Sequence, residues 1–111
     1  MTDCIFCKIA RGELPSKKVY EDDELLAFHD IHPAAPVHLL VIPKLHVASL
    51  AECDGRHGEV LGKMLLLAPK LAQDHGLVDG FKTVINTGKG GGQVVFHLHV
   101  HIIGGANMAH V

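Results

Sequence analysis

The spacing of apolar residues changes period along this chain, and each change predicts an element. Ile5, Phe6 and Ile9 recur at helical spacing, so residues 4–11 read as a short helix closed by Gly12. Residues 19–21 and 25–29 read as two strands around the acidic turn Asp22-Asp23. Residues 31–36 form a proline-broken loop, and residues 37–42 a strand that Pro43 ends. Asp54 can cap a helix running to about His75, with Val60, Leu61, Met64, Leu65, Ala68, Leu71 and Ala72 as its buried stripe and Gly76 as its stop. Pro69 lies inside that stripe; it lacks a donor and crowds the preceding turn, which predicts a kink or early break. Residues 81–85 and 95–103 are the last strands, flanking the glycine-rich loop 86–93. Strands gathered at both ends with one major helix between them predict an α+β fold with an antiparallel sheet of about five strands.

The last strand carries the chemistry. In His97-Leu98-His99-Val100-His101-Ile102 the side chains alternate, so three imidazoles line one face and three aliphatics the other. Neighbours on one face are roughly 7 Å apart. Imidazole changes charge near neutral pH and serves as nucleophile, acid, base or ligand. Three of them on a stiff element point to catalysis or metal binding.

Composition narrows the class. A chain of 111 residues with 48% hydrophobic content reads as a single domain, 1–111, burying a modest core. A net charge of -2 argues against a nucleic-acid or membrane-surface protein. There is no long apolar run, and Met1-Thr2-Asp3-Cys4 does not resemble a secretory leader. Three cysteines, two in a Cys-x-x-Cys, suit a reducing compartment, so a cytoplasmic location is expected.

Residues 91–105, Gly-Gly-Gln-Val-Val-Phe-His-Leu-His-Val-His-Ile-Ile-Gly-Gly, closely resemble the signature of the histidine-triad (HIT) family. Ala27-Phe28-His29-Asp30-Ile31, Pro36-Val37-His38, Val41-Ile42-Pro43-Lys44-x-His46 and Asn86-x-Gly88 resemble upstream blocks of its Hint branch. The similarity runs from Cys4 to Gly105. It implies a hydrolase that cleaves the P–N bond of purine nucleoside 5′-monophosphoramidates, releasing AMP or GMP, through a nucleotidyl-histidine intermediate on His99. The resemblance assigns the backbone carbonyl of His97 to orient that ring, and His101 and His38 to stabilise phosphate charge and pass protons. Asn86 and Gly92 would contact the phosphate region, Asp30 the ribose hydroxyls, and Ile5, Phe6, Ile9, Phe28, His29 and Ile31 would form an apolar slot for the base. It also implies a homodimer with sheets joined across a two-fold axis. Many relatives carry Ser or Thr where this chain has Val94, a position expected near the phosphate or leaving group. The tail after Gly105 is short and lacks an aromatic that some relatives use.

Cys4 and Cys7 alone are half a tetrahedral zinc site, and a redox pair or buried thiols fit the same spacing. The resemblance supplies His46 and His97, implying a closed, structural Cys2His2 zinc site that pins the N-terminal helix to the catalytic strand. Cys53 has no evident partner. Three other readings of the histidines remain. One is an open catalytic metal site made by two triad histidines and His38, against which no carboxylate is seen to complete it. The others are a dinucleoside polyphosphate hydrolase and a nucleotide-binding interaction module with weak catalysis. Asp30 also fits a turn cap. His32, His57, His75 and His110 read as surface residues.

Overall fold

The computed structural model describes residues 4–105. The chain runs α1 (Ile5–Ala10), β1 (Lys18–Glu21), β2 (Leu25–His29) and β3 (Val37–Pro43), then two 3-10 turns, Leu50–Glu52 and Gly55–His57. It continues through α2 (Gly58–Asp74), β4 (Lys82–Val84), the 3-10 turn Lys89–Gly91 and β5 (Val100–Gly104). The five strands form one sheet in the order β1-β2-β3-β5-β4, with every pairing antiparallel. This is the expected α+β architecture, with one long and one short helix. Met1 to Asp3, the tail from Ala106 and the surface assignment of His110 lie outside the described residues.

Strand alternation splits the core in two. Leu25, Ala27, Leu39, Val41, Val100 and Ile102 face α2 and pack on Met64, Leu67, Ala68, Leu71 and Ala72. Leu26, Phe28, Leu40 and Ile42 face the other way and pack on Phe6 and Ile9 of α1. The registers Leu40↔His101 and His38↔Ile103 place His38 and His101 on the α1 face, with α2 and its core behind them. A rigid sheet filled from behind thus presents polar groups on its front.

Several sequence expectations shift. The hydrogen-bonded ladder of the last strand begins at Val100, not at residue 95, and residues 95–97 bend instead. Leu98 nevertheless joins the α2 core while His97 and His99 turn to Phe6, so side-chain alternation extends beyond the ladder. The fourth strand is shorter than 81–85, and Phe81 is partly exposed. Asp54 caps the 3-10 turn Gly55–His57 through the Arg56 N–H, and the α-helix proper starts one turn later. On α2 Leu67 is buried and Leu65 exposed, the reverse of the expected stripe. The helix passes through Pro69 unbroken. Leu65, whose carbonyl loses its partner to the proline ring, is on the exposed side, where water can bond that oxygen.

Candidate active site

His99 is held by one bond that decides its chemistry. Its Nδ1–H donates to the carbonyl of His97 at 2.7 Å. The remaining ring nitrogen, Nε2, is therefore the one with a free lone pair. The ring is 7% exposed and meets Phe6 edge-on, with centroids 5.1 Å apart, which fixes its plane. Burial lowers its pKa below the usual imidazole value, opposed by the His97 carbonyl and the charge of Asp30, so the ring is neutral at pH 7.

His38 and His101 form a second unit. The backbone N–H of Ala34 donates to His38 Nδ1 at 3.0 Å, which leaves the His38 proton on Nε2. That atom is 2.8 Å from His101 Nδ1, so His101 carries its own proton on Nε2. Burial, followed by the neighbouring His99 and His38, pushes His101 down to about 4. Asp30 Oδ2 lies 3.4 Å from His38 Nε2. A carboxylate thus does stand beside these histidines, contrary to the sequence expectation, and Asp30, His38 and His101 could together approach a metal ion. The 2.8 Å nitrogen separation is that of a hydrogen bond; two imidazoles sharing tetrahedral zinc stand about 3.3 Å apart.

A cavity of about 510 Å³ opens in front of these groups. His99, His101, Asn86, Gly92 and Val94 line its polar end, and Ile5, Phe6, Ile9, Phe28 and Ile31 its apolar end, with Asp30 also on the wall. All the expected ligand-contacting residues but one are gathered here. The exception is His29, which strand alternation turns to the opposite face from Phe28; its ring meets His75 at 5.5 Å and lines a separate cavity. His32, assigned to the surface, is exposed but also lines this cavity, while His57 and His75 are only part-exposed.

The glycine loop is tied down by a residue with no sequence cue. Buried Gln93 accepts from the Gly88 N–H at 2.8 Å and donates to the carbonyls of Ala48 and Val95 at 2.7 and 3.0 Å. Gly92 has φ +86°, open to glycine and strained for other residues. Leu40 and Val95 complete the cavity wall and were likewise not foreseen.

Behind His99, four ligand atoms converge. Cys4 Sγ, Cys7 Sγ, His46 Nδ1 and His97 Nδ1 all lie within 4.8 Å of one another. His97 Nε2 donates to the Pro43 carbonyl at 2.7 Å, so Nδ1, facing the thiols, carries the lone pair. Tetrahedral zinc with two sulfurs and two nitrogens has edges of about 3.3 Å (N–N) and about 3.6 Å (N–S). The observed separations are 3.2 Å for His46–His97, 3.3 Å for Cys4–His97, 3.4 Å for Cys7–His46 and 3.6 Å for Cys7–His97. The donor set and its dimensions fit a closed Cys2His2 metal site. His97 belongs to both centres: its ring faces the thiols, and its carbonyl sets the His99 tautomer.

Burial of His101 makes stability pH-dependent. His101 is held at about 4, chiefly by burial, below the 6.5 of a free imidazole. Between those values the unfolded chain binds a proton that the folded chain refuses. Its contribution is therefore full above pH 6.5 and is lost as pH falls toward 4. Urea midpoints measured from about pH 7.5 to about 4.5 should fall steadily; a flat profile would contradict this burial.

Comparison with known proteins agrees with the geometry. The family model for the HIT domain matches residues 11–108. Protein HitA of Neisseria gonorrhoeae is 62% identical over 94% of this chain and 97% of its own length. The 14 kDa zinc-binding protein of Zea mays is 49% identical over 94% of this chain and 83% of its own. Among solved structures, a HIT family hydrolase from Legionella pneumophila superposes with a TM-score of 0.93 at 48% identity, covering 96% of each chain. A histidine triad nucleotide-binding protein from Candida albicans gives 0.81 at 36%, covering 90% of this chain and 73% of the other. The chain belongs to the HIT domain family.

Proposed function

We propose that this protein is a nucleotide hydrolase that cleaves the P–N bond of adenosine or guanosine 5′-monophosphoramidates, with His99 as nucleophile. The observation that carries the reading is the His99 Nδ1–H bond to the His97 carbonyl, which leaves a neutral ring with its Nε2 lone pair free beside the cavity. Relatives described as a HIT family hydrolase and a histidine triad nucleotide-binding protein support the class. The base lies against Ile5, Phe6, Ile9, Phe28 and Ile31, the ribose hydroxyls donate to Asp30, and Asn86 and the Gly92 backbone face the phosphate.

Attack of His99 Nε2 on phosphorus breaks the P–N bond, and the departing nitrogen keeps the electron pair. That nitrogen takes a proton from the His38–His101 pair, which enters the step with one proton more than two neutral rings hold. Water then attacks the nucleotidyl-histidine, His99 leaves as neutral imidazole, and the proton of water returns to the pair. Cys4, Cys7, His46 and His97 hold zinc in this reading, supported by the zinc-binding relative; the metal cross-links α1 to the segment before β5. The active unit is taken as a cytoplasmic homodimer.

Side-by-side assay of an adenosine phosphoramidate and a diadenosine polyphosphate tests the reaction class; faster turnover of the polyphosphate would reverse the assignment. Val94 bears on the leaving group. It is 86% exposed, lines the cavity and offers no side-chain donor. Val94→Ser adds a hydroxyl there and should raise kcat/KM on amine-leaving substrates by about three- to tenfold, the worth of one hydrogen bond. Unchanged turnover would mean this side chain does not meet the leaving group.

A further inference from the structure

Asp30 is fixed more firmly, and nearer the histidines, than holding a sugar requires. Its backbone N–H donates to the His38 carbonyl at 2.9 Å, and Oδ1 accepts the His32 N–H at 2.8 Å. These bonds aim Oδ2 at His38 Nε2, 3.4 Å away, and His38 in turn reaches His101. The result is a cluster at the cavity wall in which the carboxylate and the His101 ring both meet His38 Nε2.

Proton counting shows what such a cluster can do. Two neutral imidazoles hold two ring protons, and releasing one of these would leave an imidazole anion. An acid that protonates a leaving amine must therefore start with a third proton. Burial opposes this, holding His101 at about 4, while the charge of Asp30 raises its proton affinity. The other charged or titratable groups around the pair are Lys17 and His29 on the far cavity and His32 and His99 on the near one. Among the described residues lining either cavity, Asp30 is the only carboxylate.

We propose that Asp30 is the counter-ion of the proton-loaded His38–His101 pair, a positioning residue for leaving-group protonation as well as a sugar anchor. The third proton falls on His38 Nδ1 and displaces the Ala34 N–H contact, so the Ala34 amide reports loading. As the P–N bond breaks and the N–P bond to His99 forms, the amine nitrogen keeps the electron pair and gains this proton, and the pair returns to its neutral count. The attacking water of the second step reloads it. This chemistry rests on the phosphoramidase reading; the proton affinity of the pair does not.

Two measurements on Asp30→Asn, which keeps the Oδ1 acceptor, test the proposal. In histidine ¹⁵N NMR, the pair should take up its third proton about one pH unit or more lower than in the wild type, with the Ala34 amide moving in step. In turnover, one alkylamine phosphoramidate and one 4-nitrophenyl ester of the same nucleotide share any sugar contribution, so the ratio of their penalties isolates protonation. The penalty should be roughly tenfold or more greater for the amine, which must be protonated, than for the phenolate, which need not be. Asp30→Glu, which keeps the charge, should recover most of that ratio, and Asp30→Ser serves as the neutral variant should Asn unfold the chain. Unshifted titration with equal penalties would reduce Asp30 to a sugar anchor. Failure of the wild type on both substrates would instead remove the phosphoramidase reading, and the titration alone would then decide the role of Asp30.

Discussion

Replacing His99 with alanine should lower phosphoramidate turnover by about four orders of magnitude or more, because a covalent route loses its only nucleophile. Nucleotide binding should change little. The apolar wall is built by Ile5, Phe6, Ile9, Phe28 and Ile31, and Asp30 stands just after β2; of these only Phe6 meets the His99 ring, and it is also held by Phe28 at 5.6 Å. Turnover and binding must therefore separate: kcat collapses while the dissociation constant of AMP stays within about threefold. Equal loss of both would make His99 a binding residue. Retained turnover would move the nucleophile elsewhere, and His101 is poorly placed for that role because its Nδ1 is engaged with His38.

The second large effect concerns the metal centre. The double replacement of Cys4 and Cys7 with serine removes both soft ligands from a set whose edges match tetrahedral zinc. Purified wild type should hold about one zinc per chain and the variant none, by elemental analysis. The sheet and α2 have their own core, so the variant should still fold. Loss of a metal that binds only the folded state should nevertheless cost about 2–4 kcal/mol, or a Tm lower by roughly 10–20 °C. The loss should also reach the nucleotide. Helix α1 is six residues long, too short to persist unaided, and carries Ile5, Phe6 and Ile9 into the cavity wall. Freed from its anchor, it should weaken nucleotide binding by about tenfold, the worth of roughly one apolar contact. A wild type without zinc, its thiols reduced, would reject the metal centre; an unchanged Tm in the variant would reject its structural role.

How far the fold was legible follows from which signals are local. The period-2 and period-3.6 patterns found the five strands and α2, and a Gly-bounded helical run found α1, because each depends on burial of one face. The start of the last strand was misplaced because alternation at His97-Leu98-His99 continues where the ladder does not. Pairing needs a partner strand, and Pro43, whose carbonyl takes the His97 ring, is the last residue of β3. Leu67 was passed over on α2 because the packing surface of β3 and β5, invisible in one helix, decides which flank of the stripe is covered. His29 is a different case. Its parity with Ala27, not Phe28, puts it on the α2 side of the sheet, which strand alternation alone encodes.

The site divides the same way. Histidine spacing and the glycine loop marked where the chemistry-bearing residues are, and folding gathers them around one cavity. The bond that gives His99 its tautomer, to the carbonyl of His97 two residues away, is the one the family resemblance assigns. Those that set the other two rings, Pro43 for His97 and Ala34 for His38, come from backbone that no motif marks. Gln93 was missed for a related reason, since its three bonds run to Gly88, Ala48 and Val95, and only the folded loop makes a buried amide necessary there. The approach of Asp30 to His38 likewise appears only once β2 and β3 are paired.

Mass spectrometry after a brief incubation with an adenosine phosphoramidate bears most directly on the whole reading. Acid-labile adenylate should appear on the peptide containing His99, absent in His99→Ala, and decay as AMP accumulates. AMP formation with no such adduct trapped at any quench time, or an adduct on another histidine, would contradict it.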